Sequence, residues 1–443
     1  MSWIDIYTSF TSMQSGIDNA IRTGTRPALD VLHLIFDKAF YILLFIAVFV
    51  SVSYLLISIY AMLFHRKKQE SMEFNAEKAP FVTVQIPTFN ELAAIRCAKA
   101  CLEFDYPKDS YEVIIGDDSN KKEISQKLDA FASQHSMVKI TRRGSNIGYK
   151  AGNLNHMLKH SNGEILVLFD SDFVPQADFL QRIVTPFMHD KQYAAVQARW
   201  KFSNPNQNLV SVLGSTIVSV FHHLTLPFIY RKKVSFLCGS AEAVRKDVLL
   251  KLGGWKTGSL TEDIEYSLRL LKNGYKIEYL EDLECEGEVP YVPKDLYKQQ
   301  MRWAYGVIGS FKEHSLDLIK SRNLSLAEKF YIFLDAEGYF IATLLLMLFL
   351  TGALSFITNA PSPIDIPKFA FELGRNILFT SGLILASIYA LAKTKNAKKT
   401  FAMVASSFSY GLLVTYYVNV GIFKVLTNKP MKWFMLNKNS NAE

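Results

Sequence analysis

Cysteine is scarce in this chain, which has only four cysteines among 443 residues. So few cysteines exclude a disulfide framework. Cys97 and Cys101 are four residues apart, which differs from the CxxC spacing of zinc ribbons and redox pairs and puts both on one face of a helix. We therefore expect reduced, structural cysteines. His222 and His223 are adjacent and have no ligand partner at helical spacing, so we expect them to be structural as well.

Glycine-rich phosphate loops are also missing. Neither GxGxxG nor a Walker loop follows the first apolar strand, where Pro87-Thr88-Phe89-Asn90-Glu91 stands instead. Any nucleotide must therefore be held by side chains. The net charge is +8, yet no nucleic-acid recognition motif accompanies it. The charge suits the anionic inner leaflet of a membrane, and we expect no nucleic-acid partner.

Long apolar runs, in contrast, are present. The run at residues 39–64 carries no charge and, at about 1.5 Å per residue, exceeds the hydrocarbon thickness of about 30 Å. It predicts a transmembrane helix after a polar or interfacial segment, residues 1–38, and it lies too far from the N-terminus for a cleaved signal peptide. His65-Arg66-Lys67-Lys68 follows, and the positive-inside rule then places the next domain in the cytoplasm.

A second apolar region, residues 338–423, suggests a return to the membrane. Three of its stretches are long enough to span a bilayer, and the stretch before it suits an interfacial helix. The predicted spans are residues 338–358, 376–392 and 401–423, and the predicted interfacial helix is residues 326–337.

The basic tail, residues 424–443, conflicts with this count. One span before the central domain and three after it would leave the tail outside, whereas its lysines, Lys424, Lys429, Lys432 and Lys438, place it inside. We favour a cytoplasmic tail, in which case one apparent span is re-entrant, interfacial or miscounted.

Between residues 78 and 325, strand patterns alternate with helical patterns. This alternation predicts βαβ units and therefore a Rossmann-like α/β domain with a mostly parallel sheet. The expected strands begin the stretches 81–91, 111–120, 138–143 and 165–175, and the expected helices between them cover residues 92–102, residues 121–134 and the stretch behind Gly148.

Acidic residues follow two of these strands. Asp170 and Asp172 end the stretch ILVLFDSD, and carboxyl ends of parallel strands are where open α/β sheets bind ligands. Two like charges so close need a cation, which a divalent metal carrying a diphosphate would supply. The same Asp-Ser-Asp could equally form a turn before Pro175.

Other polar side chains could hold a nucleotide. Asn90 and Glu91 could hydrogen-bond a base or ribose, Asp117 and Asp118 could accept from a base imino group, and Lys150 could offset phosphate charge. Further along, Thr261, Glu262 and Asp263 could either cap a helix or carry chemistry, and Trp303 beside Arg302 could either pack at an interface or stack on a sugar.

Six motifs in one order resolve these alternatives. IPTFNE, DDSN, KAGNLN, DSD, LTEDIEYSLR and QQMRW together resemble the membrane-embedded, processive family 2 glycosyltransferases, the group of cellulose, hyaluronan and mannan synthases. The stretch VQARWKFSNPNQNLVS (residues 196–211), followed by GGWKTGSLTEDIEYSLRL, is most similar to the cellulose-synthase-like branch that makes mannan, glucomannan or the xyloglucan backbone. The resemblance covers about residues 80–310 and implies a glycosyltransferase A domain at residues 78–325.

The resemblance also implies roles for individual residues. Asp172, with Asp170, would bind Mg²⁺ or Mn²⁺, and Asp263 would be the general base, supported by Glu262 and held ionised by a lowered pKa. The expected donor-binding residues are Thr88, Asn90, Glu91, Asp117, Asp118, Lys150, Asp170 and Arg302. The expected acceptor-binding residues are Gln299, Gln300, Arg302 and Trp303.

The stretch CGSAEAVRKDVL, residues 238–249, is expected to form a short loop and helix, and its small residues Gly239, Ser240 and Ala241 could approach a sugar or simply pack tightly. Its Ala241-Glu242 departs from the small residues usual in the family. The tail stretch KPMKWFMLNK loosely resembles the Phe-x-Val-Thr-x-Lys gating loop of related synthases. Aligned on Phe434, however, the tail has Leu-Asn in place of Val-Thr and Asn439 where the lysine is expected.

These observations predict an inverting, metal-dependent hexosyltransferase in the plasma (inner) membrane or an endomembrane. It would polymerise a β-linked glucan or mannan from a nucleoside diphosphate sugar, UDP-glucose or GDP-mannose, and move the growing polysaccharide across the lipid bilayer, with room for an accessory subunit. The alternative is a non-processive transferase that adds one sugar to a membrane lipid, against which QQMRW argues. A subunit that has lost its chemistry is disfavoured by the intact acidic motifs.

Overall fold

The computed structural model describes residue 12 and residues 26–63, 72–335, 337–359 and 365–438. The basic cluster at residues 65–68, on which the predicted orientation rests, lies outside the described residues, as do Asn439 and most of residues 1–25. The chain forms two compact units, Met1–Ile59 with Phe340–Ala386, and Tyr60–Tyr339 with Ser387–Glu443.

A seven-stranded sheet organises the second unit. Its order is β3-β2-β1-β4-β6-β5-β7, and only β6 runs antiparallel to its neighbours, β4 and β5, among the described strands. The strands are β1 (Val82–Thr88), β2 (Tyr111–Asp117), β3 (Val138–Thr141), β4 (Ile165–Leu168), β5 (Tyr193–Phe202), β6 (Glu242–Arg245) and β7 (Lys276–Gly287).

Sixteen α-helices accompany the sheet in the described part of the chain. They are α1 (Arg26–Leu63), α2 (Ala93–Leu102), α3 (Lys122–Ala132), α4 (Tyr149–Leu158), α5 (Phe179–His189), α6 (Leu209–Val220), α7 (Leu226–Tyr230), α8 (Lys246–Lys251), α9 (Glu262–Lys272), α10 (Pro293–Lys320), α11 (Leu326–Asp335), α12 (Glu337–Thr358), α13 (Ile366–Thr380), α14 (Gly382–Lys393), α15 (Thr400–Ser409) and α16 (Gly411–Leu426). A π-helical turn, Phe221–Thr225, joins α6 to α7.

The predicted α/β class and mostly parallel sheet are confirmed, and so are the first four strands. Strands β1, β2 and β4 form because their residues are buried on both faces of the sheet, as in β4, where all four residues are buried, whereas the edge strand β3 is only partly buried. The stretch Glu242–Arg245, expected as loop and helix, is instead strand β6, since Ala243 and Val244 are fully buried between β4 and β5. Cys97 and Cys101 lie buried on α2, as predicted.

Two long apolar helices, α1 and α12, belong mainly to the first unit. Each is long and apolar enough to cross a membrane, and the paired helices α6 and α7 meet the same criterion although they are largely buried. Helix α1 contains residues 39–63 of the predicted span and begins earlier, at Arg26, whose Nε lies 3.0 Å from Asp30 Oδ1. Within this unit the His33 Nδ1 atom lies 2.9 Å from the carbonyl oxygen of Ser355.

The last two predicted spans are each a pair of bent helices. Helices α13 and α14 meet at 49°, and Ala397–Ser409 meets α16 at 54°. A bend of this kind marks a broken span or a re-entrant loop, so the prediction that one apparent span does not cross the bilayer stays a prediction. In the second unit, Tyr417 of α16 stacks on Tyr297 of α10 at 5.3 Å between ring centroids.

Candidate active site

The carboxyl edge of the sheet carries a cavity of about 190 Å³. Strands β1 and β4 end at this edge, and the antiparallel β6 begins there, so the loop before it reaches the same place. The cavity lining includes Thr88, Glu91, Asp118, Lys150, Asp170, Asp172, Trp200, Gly239, Glu262, Asp263, Glu288, Gln299, Arg302, Trp303 and residues 433–434 and 436–438 of the tail. Most of the predicted site residues therefore meet in one cavity.

The Asp-Ser-Asp stretch is both a turn and part of this lining. The amide of Phe173 donates to the carbonyl of Asp170 at 3.0 Å, which closes the turn. Asp170 Oδ1 lies 2.7 Å from the Lys150 ammonium, and Asp172 Oδ2 accepts from the Glu288 amide at 3.1 Å. The two interpretations of this motif are therefore compatible, because the turn presents both carboxylates to the cavity.

A divalent cation fits the chemistry of these residues. Mg²⁺ is usually bound by one or two carboxylates together with substrate phosphates, and Asp170 and Asp172 supply such a pair. Among the described residues, no group of three or more His, Cys, Asp or Glu side chains could hold a metal by itself. An ammonium, that of Lys438, already lies 2.8 Å from Asp172 Oδ1, so the site accepts positive charge. A metal bound by these two carboxylates would complete its coordination with water or with phosphates of the donor.

Lys150 connects the metal motif to the predicted base motif. Its Nζ lies 2.7 Å from Asp170 Oδ1 and 3.4 Å from Glu262 Oε1, and it donates to the carbonyl of Gly239. Burial by itself would lower the pKa of Lys150, but the carboxylates of Asp170 and Glu262 raise it well above its ordinary value. The ammonium therefore stays charged and holds the two acidic motifs together.

Asp263 and Glu262 begin helix α9. Thr261 takes the N-cap position, yet its side chain makes no capping hydrogen bond within the described structure, so these residues do not form a simple side-chain cap. Gly239, with a φ of +88°, faces Asp263: a Cβ there would lie 3.3 Å from the carboxylate oxygen Oδ2. The loop around Gly239, which could approach a sugar or pack tightly, thus packs its backbone against Asp263, the predicted base.

The expected lowering of the Asp263 pKa is wrong for the protein without metal or donor. Burial and the charge of Glu262 raise the pKa of Asp263, and Lys150 and the backbone amides at the helix start offset only part of this effect. Glu242, which the sequence did not assign to the site, lies close by. Its carboxylate accepts from the Gly239 amide at 2.8 Å, and burial together with Asp263 raises its pKa.

Helix α10 brings the QQMRW motif to the cavity. Gln299, Arg302 and Trp303 line it, and Arg302 donates to the carbonyl of Leu260 at 3.1 Å. Gln300 is buried, its Nε2 finds no partner among the described residues, and it is not part of the lining. Its predicted acceptor role is therefore not supported, because consecutive residues of a helix face different directions.

Two predicted donor-binding residues, Asp117 and Asn90, are not part of the cavity lining. Asp117 is buried and accepts from the Ser119 amide, the Ser125 hydroxyl and Arg142. Burial opposes these hydrogen bonds, but together they lower the pKa of Asp117. Its capacity to accept hydrogen bonds is thus used internally, whereas neighbouring Asp118 lines the cavity.

Asn90 is the second of these residues. It adopts the left-handed conformation, with a φ of 56°, that asparagine tolerates better than most residues. Its side chain donates to Asn120 Oδ1 at 2.8 Å and accepts from the amides of Asn120 and Lys121, so it joins the loops after β1 and β2. Its neighbour Glu91 does reach the site, where Oε2 accepts from the Lys438 ammonium at 3.0 Å.

The tail lies across the cavity. Trp433 contacts Phe89 edge-on and stacks on Tyr149, and Asn437 donates through both its backbone amide and Nδ2 to Asp295 Oδ2, at 3.0 and 2.6 Å. These contacts fix the position of the tail along the cavity. In the described part of the tail, the lysine that enters the site is therefore Lys438, one residue before the position at which the family alignment has its lysine.

Trp200, Trp433 and Lys438 are among the cavity residues that the sequence did not assign. Trp200 stands in the quoted stretch VQARW, and that stretch was the signal that could have identified it. His222, one of the two histidines predicted to be structural, is buried beneath Trp200, with ring centroids 5.4 Å apart.

Comparison with solved structures supports the fold. The chain is similar to the mannosyltransferase PcManGT of Pyrobaculum calidifontis, solved in complex with GDP-Man and Mn²⁺, with a TM-score of 0.59 and 18% identity over 90% of this chain and 99% of that one. The sheet thus has the glycosyltransferase A type of architecture.

Sequence comparison agrees. The chain is 31% identical over 305 residues to the probable glucomannan 4-beta-mannosyltransferase 15 of Arabidopsis thaliana, with 64% of this chain and 57% of the relative covered. It is 32% identical over 263 residues to the probable glucomannan 4-beta-mannosyltransferase 7 of Oryza sativa subsp. japonica, with 57% of this chain and 45% of the relative covered. The chain therefore matches only about half the length of these relatives.

A family model defines the membership. The model described as "Glycosyltransferase like family 2" matches residues 79–306, which is more than half of the chain. The matched region contains all six of the ordered motifs and the whole of the sheet. The chain belongs to glycosyltransferase family 2.

Proposed function

We propose that this protein is a processive, inverting β-mannosyltransferase of a membrane, which builds a 4-linked mannan-type polysaccharide from GDP-mannose. One observation carries the proposal: Asp263, the Asp-Ser-Asp turn and the Arg302-Trp303 pair line one cavity. The choice of mannose rests on the plant relatives, which are named as glucomannan 4-beta-mannosyltransferases, and on the solved neighbour that holds GDP-Man.

In this mechanism Asp263 acts on the acceptor hydroxyl. Its carboxylate accepts the hydroxyl proton as the acceptor oxygen bonds to C1 of mannose and the bond from C1 to the diphosphate breaks. Attack from the face opposite the diphosphate inverts the configuration, so an α-linked donor gives a β-linked product. Trp303 offers a flat apolar face for the acceptor sugar, and Arg302 can pair with the departing diphosphate.

Asp172 and Asp170 are the residues that would hold Mg²⁺ or Mn²⁺. The metal would neutralise charge on the leaving diphosphate. Lys150 fixes Asp170 relative to Glu262. It would therefore hold the diphosphate end of the site at a fixed distance from the general base, Asp263.

The tail would act as a lid on the donor. A cavity of about 190 Å³ is smaller than the pockets of about 300–1,000 Å³ that hold small ligands. Trp433, Phe434 and Lys438 take up part of the space. We therefore infer that the tail withdraws to admit GDP-mannose and returns over it, which requires the tail to share the cytoplasmic compartment of the catalytic domain.

The test is synthesis by the purified full-length protein in nanodiscs with Mn²⁺. Labelled GDP-mannose and UDP-glucose are supplied in separate reactions, and the product is analysed for length and linkage. We expect long β-1,4-linked mannan from GDP-mannose alone, and a loss of at least about 100-fold in Asp263→Asn, in keeping with the contribution of a general base. Transfer of a single sugar to lipid, glucan from UDP-glucose, or full activity of the variant would contradict the proposal.

A further inference from the structure

A second indole lies beside the predicted acceptor platform. The ring centroids of Trp200 and Trp303 are 6.4 Å apart, with an angle of 55° between the ring planes. Both rings are half-buried and both line the cavity. Trp200 comes from β5 and Trp303 from α10, so only the folded chain brings them together.

Trp200 is held firmly by its surroundings. One face stacks on the His222 ring at 5.4 Å and 27°, and the Phe173 ring meets it edge-on at 5.2 Å. The indole Nε1 donates to the carbonyl of Ser240 at 2.9 Å. These contacts satisfy the one polar atom of the indole and cover part of its apolar surface, and the exposed remainder faces the cavity.

The same contacts fix Trp200 relative to the reaction centre. Ser240, which accepts from the indole through its carbonyl, also accepts from the Asp170 amide through its hydroxyl at 2.9 Å. Phe173 directly follows Asp172 in the chain. Trp200 is thus tied to both ends of the Asp-Ser-Asp turn.

The support behind Trp200 is apolar in character. His222 is buried, and burial, followed by the charges of His223 and Arg199, lowers the pKa of its imidazole. A neutral ring therefore backs the indole. His222 lies in the π-helical turn Phe221–Thr225, and such turns are frequent at functional sites.

We propose that Trp200 forms a second sugar-binding subsite, which takes the penultimate sugar of the acceptor while Trp303 takes the terminal one. The apolar face of a hexose stacks on an aromatic ring, and two rings at this separation suit two consecutive sugars of a β-linked chain. This inference rests on the proposed function. Its consequence is a preference for acceptors of at least two sugars, and hence for elongation over initiation.

The experiment compares β-1,4-mannobiose with methyl β-mannoside as acceptors for GDP-mannose, using the full-length protein. We expect the wild type to have a KM about three- to tenfold lower for the disaccharide, the size of one aromatic stacking contact. Trp200→Leu, which keeps apolar volume without a ring, should lose this difference through KM and not kcat. Trp200→Phe should keep most of it. Affinity for GDP-mannose should stay within about twofold in both variants.

The outcomes separate the two proposals. If the wild type transfers mannose but Trp200→Leu retains the disaccharide preference, the subsite is wrong and the proposed function stands. A parallel loss of GDP-mannose affinity in both variants would make Trp200 a structural residue and would also overturn the subsite. If no acceptor is mannosylated, the proposed function fails. Calorimetric binding of mannobiose to the wild type, but not to Trp200→Leu, would then still support the subsite, and equal binding would overturn it.

Discussion

Lys438 and Asp172 form a buried ion pair in the cavity, with 2.8 Å between Nζ and Oδ1 and only 17% and 7% of the two side chains exposed. The same ammonium lies 3.0 Å from Glu91 Oε2. Burial alone would raise the pKa of Asp172, but the charge of Lys438 outweighs it and lowers that pKa. The ammonium of Lys438 thus lies beside Asp172, at the carboxylate that would bind a metal ion.

Removing this ammonium should strengthen metal binding. A positive charge in contact with Asp172 repels a divalent cation, so Lys438→Met is expected to bind Mn²⁺ about tenfold more tightly in the absence of donor. Electron paramagnetic resonance of free Mn²⁺ measures this directly. Lys432→Met, an exposed lysine of the same tail that does not line the cavity, is the matched control. Equal Mn²⁺ affinities in both variants would argue that Lys438 does not compete with the metal.

The rate should fall in mild acid. Because burial and Glu262 raise the pKa of Asp263, the base is protonated at pH values where an ordinary aspartate, with a pKa of about 3.9, is still ionised. We expect kcat/KM to decrease about tenfold per pH unit on an acid limb well above pH 4. Glu262→Gln removes the neighbouring charge and should move the limb to lower pH. A rate that is constant down to pH 4.5, or a limb that does not move, would contradict Asp263 as the titrating base.

Asp263→Asn should make the protein more stable while it lowers transfer at least about 100-fold. With its raised pKa, the folded protein holds a proton that the unfolded chain releases, so the wild type loses stability as the pH rises through that pKa. An asparagine side chain does not titrate, so the variant does not lose stability in this way as the pH rises. We expect the variant to gain about 2 kcal/mol over the wild type at pH 8 and less at pH 5, measured by denaturant unfolding in detergent. A gain that is the same at both pH values would point to a cause other than titration.

A buried charge cluster holds helix α9 against α10. Glu265 Oε2 accepts from Arg269 at 2.7 Å, and its Oε1 lies 2.9 Å from His314 Nε2. Glu265→Gln would leave Arg269 without its countercharge, and we expect a loss of about 3 kcal/mol in the free energy of unfolding. Asp317→Asn breaks the exposed pair with Lys272 and should have no measurable effect. Similar losses in both variants would contradict this ranking.

Gln299 and Gln300 should behave differently although they are adjacent. Gln299 lines the cavity, so Gln299→Leu is expected to lower transfer about tenfold or more through its acceptor contacts. Gln300→Leu replaces a buried amide whose nitrogen has no partner among the described residues, and it should be neutral or slightly stabilising. Transfer rates and thermal unfolding of the two variants decide the matter. Equal losses of activity would restore an acceptor role for Gln300.

Much of the fold was predictable because it is local. Apolar runs such as Ile165–Leu168 form strands wherever a sheet can bury both faces, and their alternation with helical patterns leads to a parallel sheet. Strand β6 was not predicted, because its four residues form a strand only by pairing with β4 and β5, which are distant in sequence. Secondary structure that depends on partners elsewhere in the chain carries little local signal.

The site was predictable to the level of motifs. The acids at 170, 172, 262 and 263 and the pair Arg302-Trp303 all reach the cavity. The same motifs contain three residues whose side chains do not line the cavity, Asp117, Asn90 and Gln300. A motif does not specify which of two adjacent side chains faces the ligand. Trp200, Glu242 and Lys438 come from other segments and enter the site only when the chain is folded.

The alternating α/β architecture, the apolar helices and the order of acidic and basic motifs can be predicted from the chain alone, because they follow from residue spacing and hydrophobicity. Three features exist only in the folded protein: a tail lysine pairs with Asp172, the pKa of Asp263 is raised, and two indoles lie side by side. The ion pair and the indole pair join residues far apart in the chain, and the pKa of Asp263 rises because the fold buries its carboxylate beside that of Glu262. The energy of each feature depends on distance and desolvation, and neither is defined until the chain has packed.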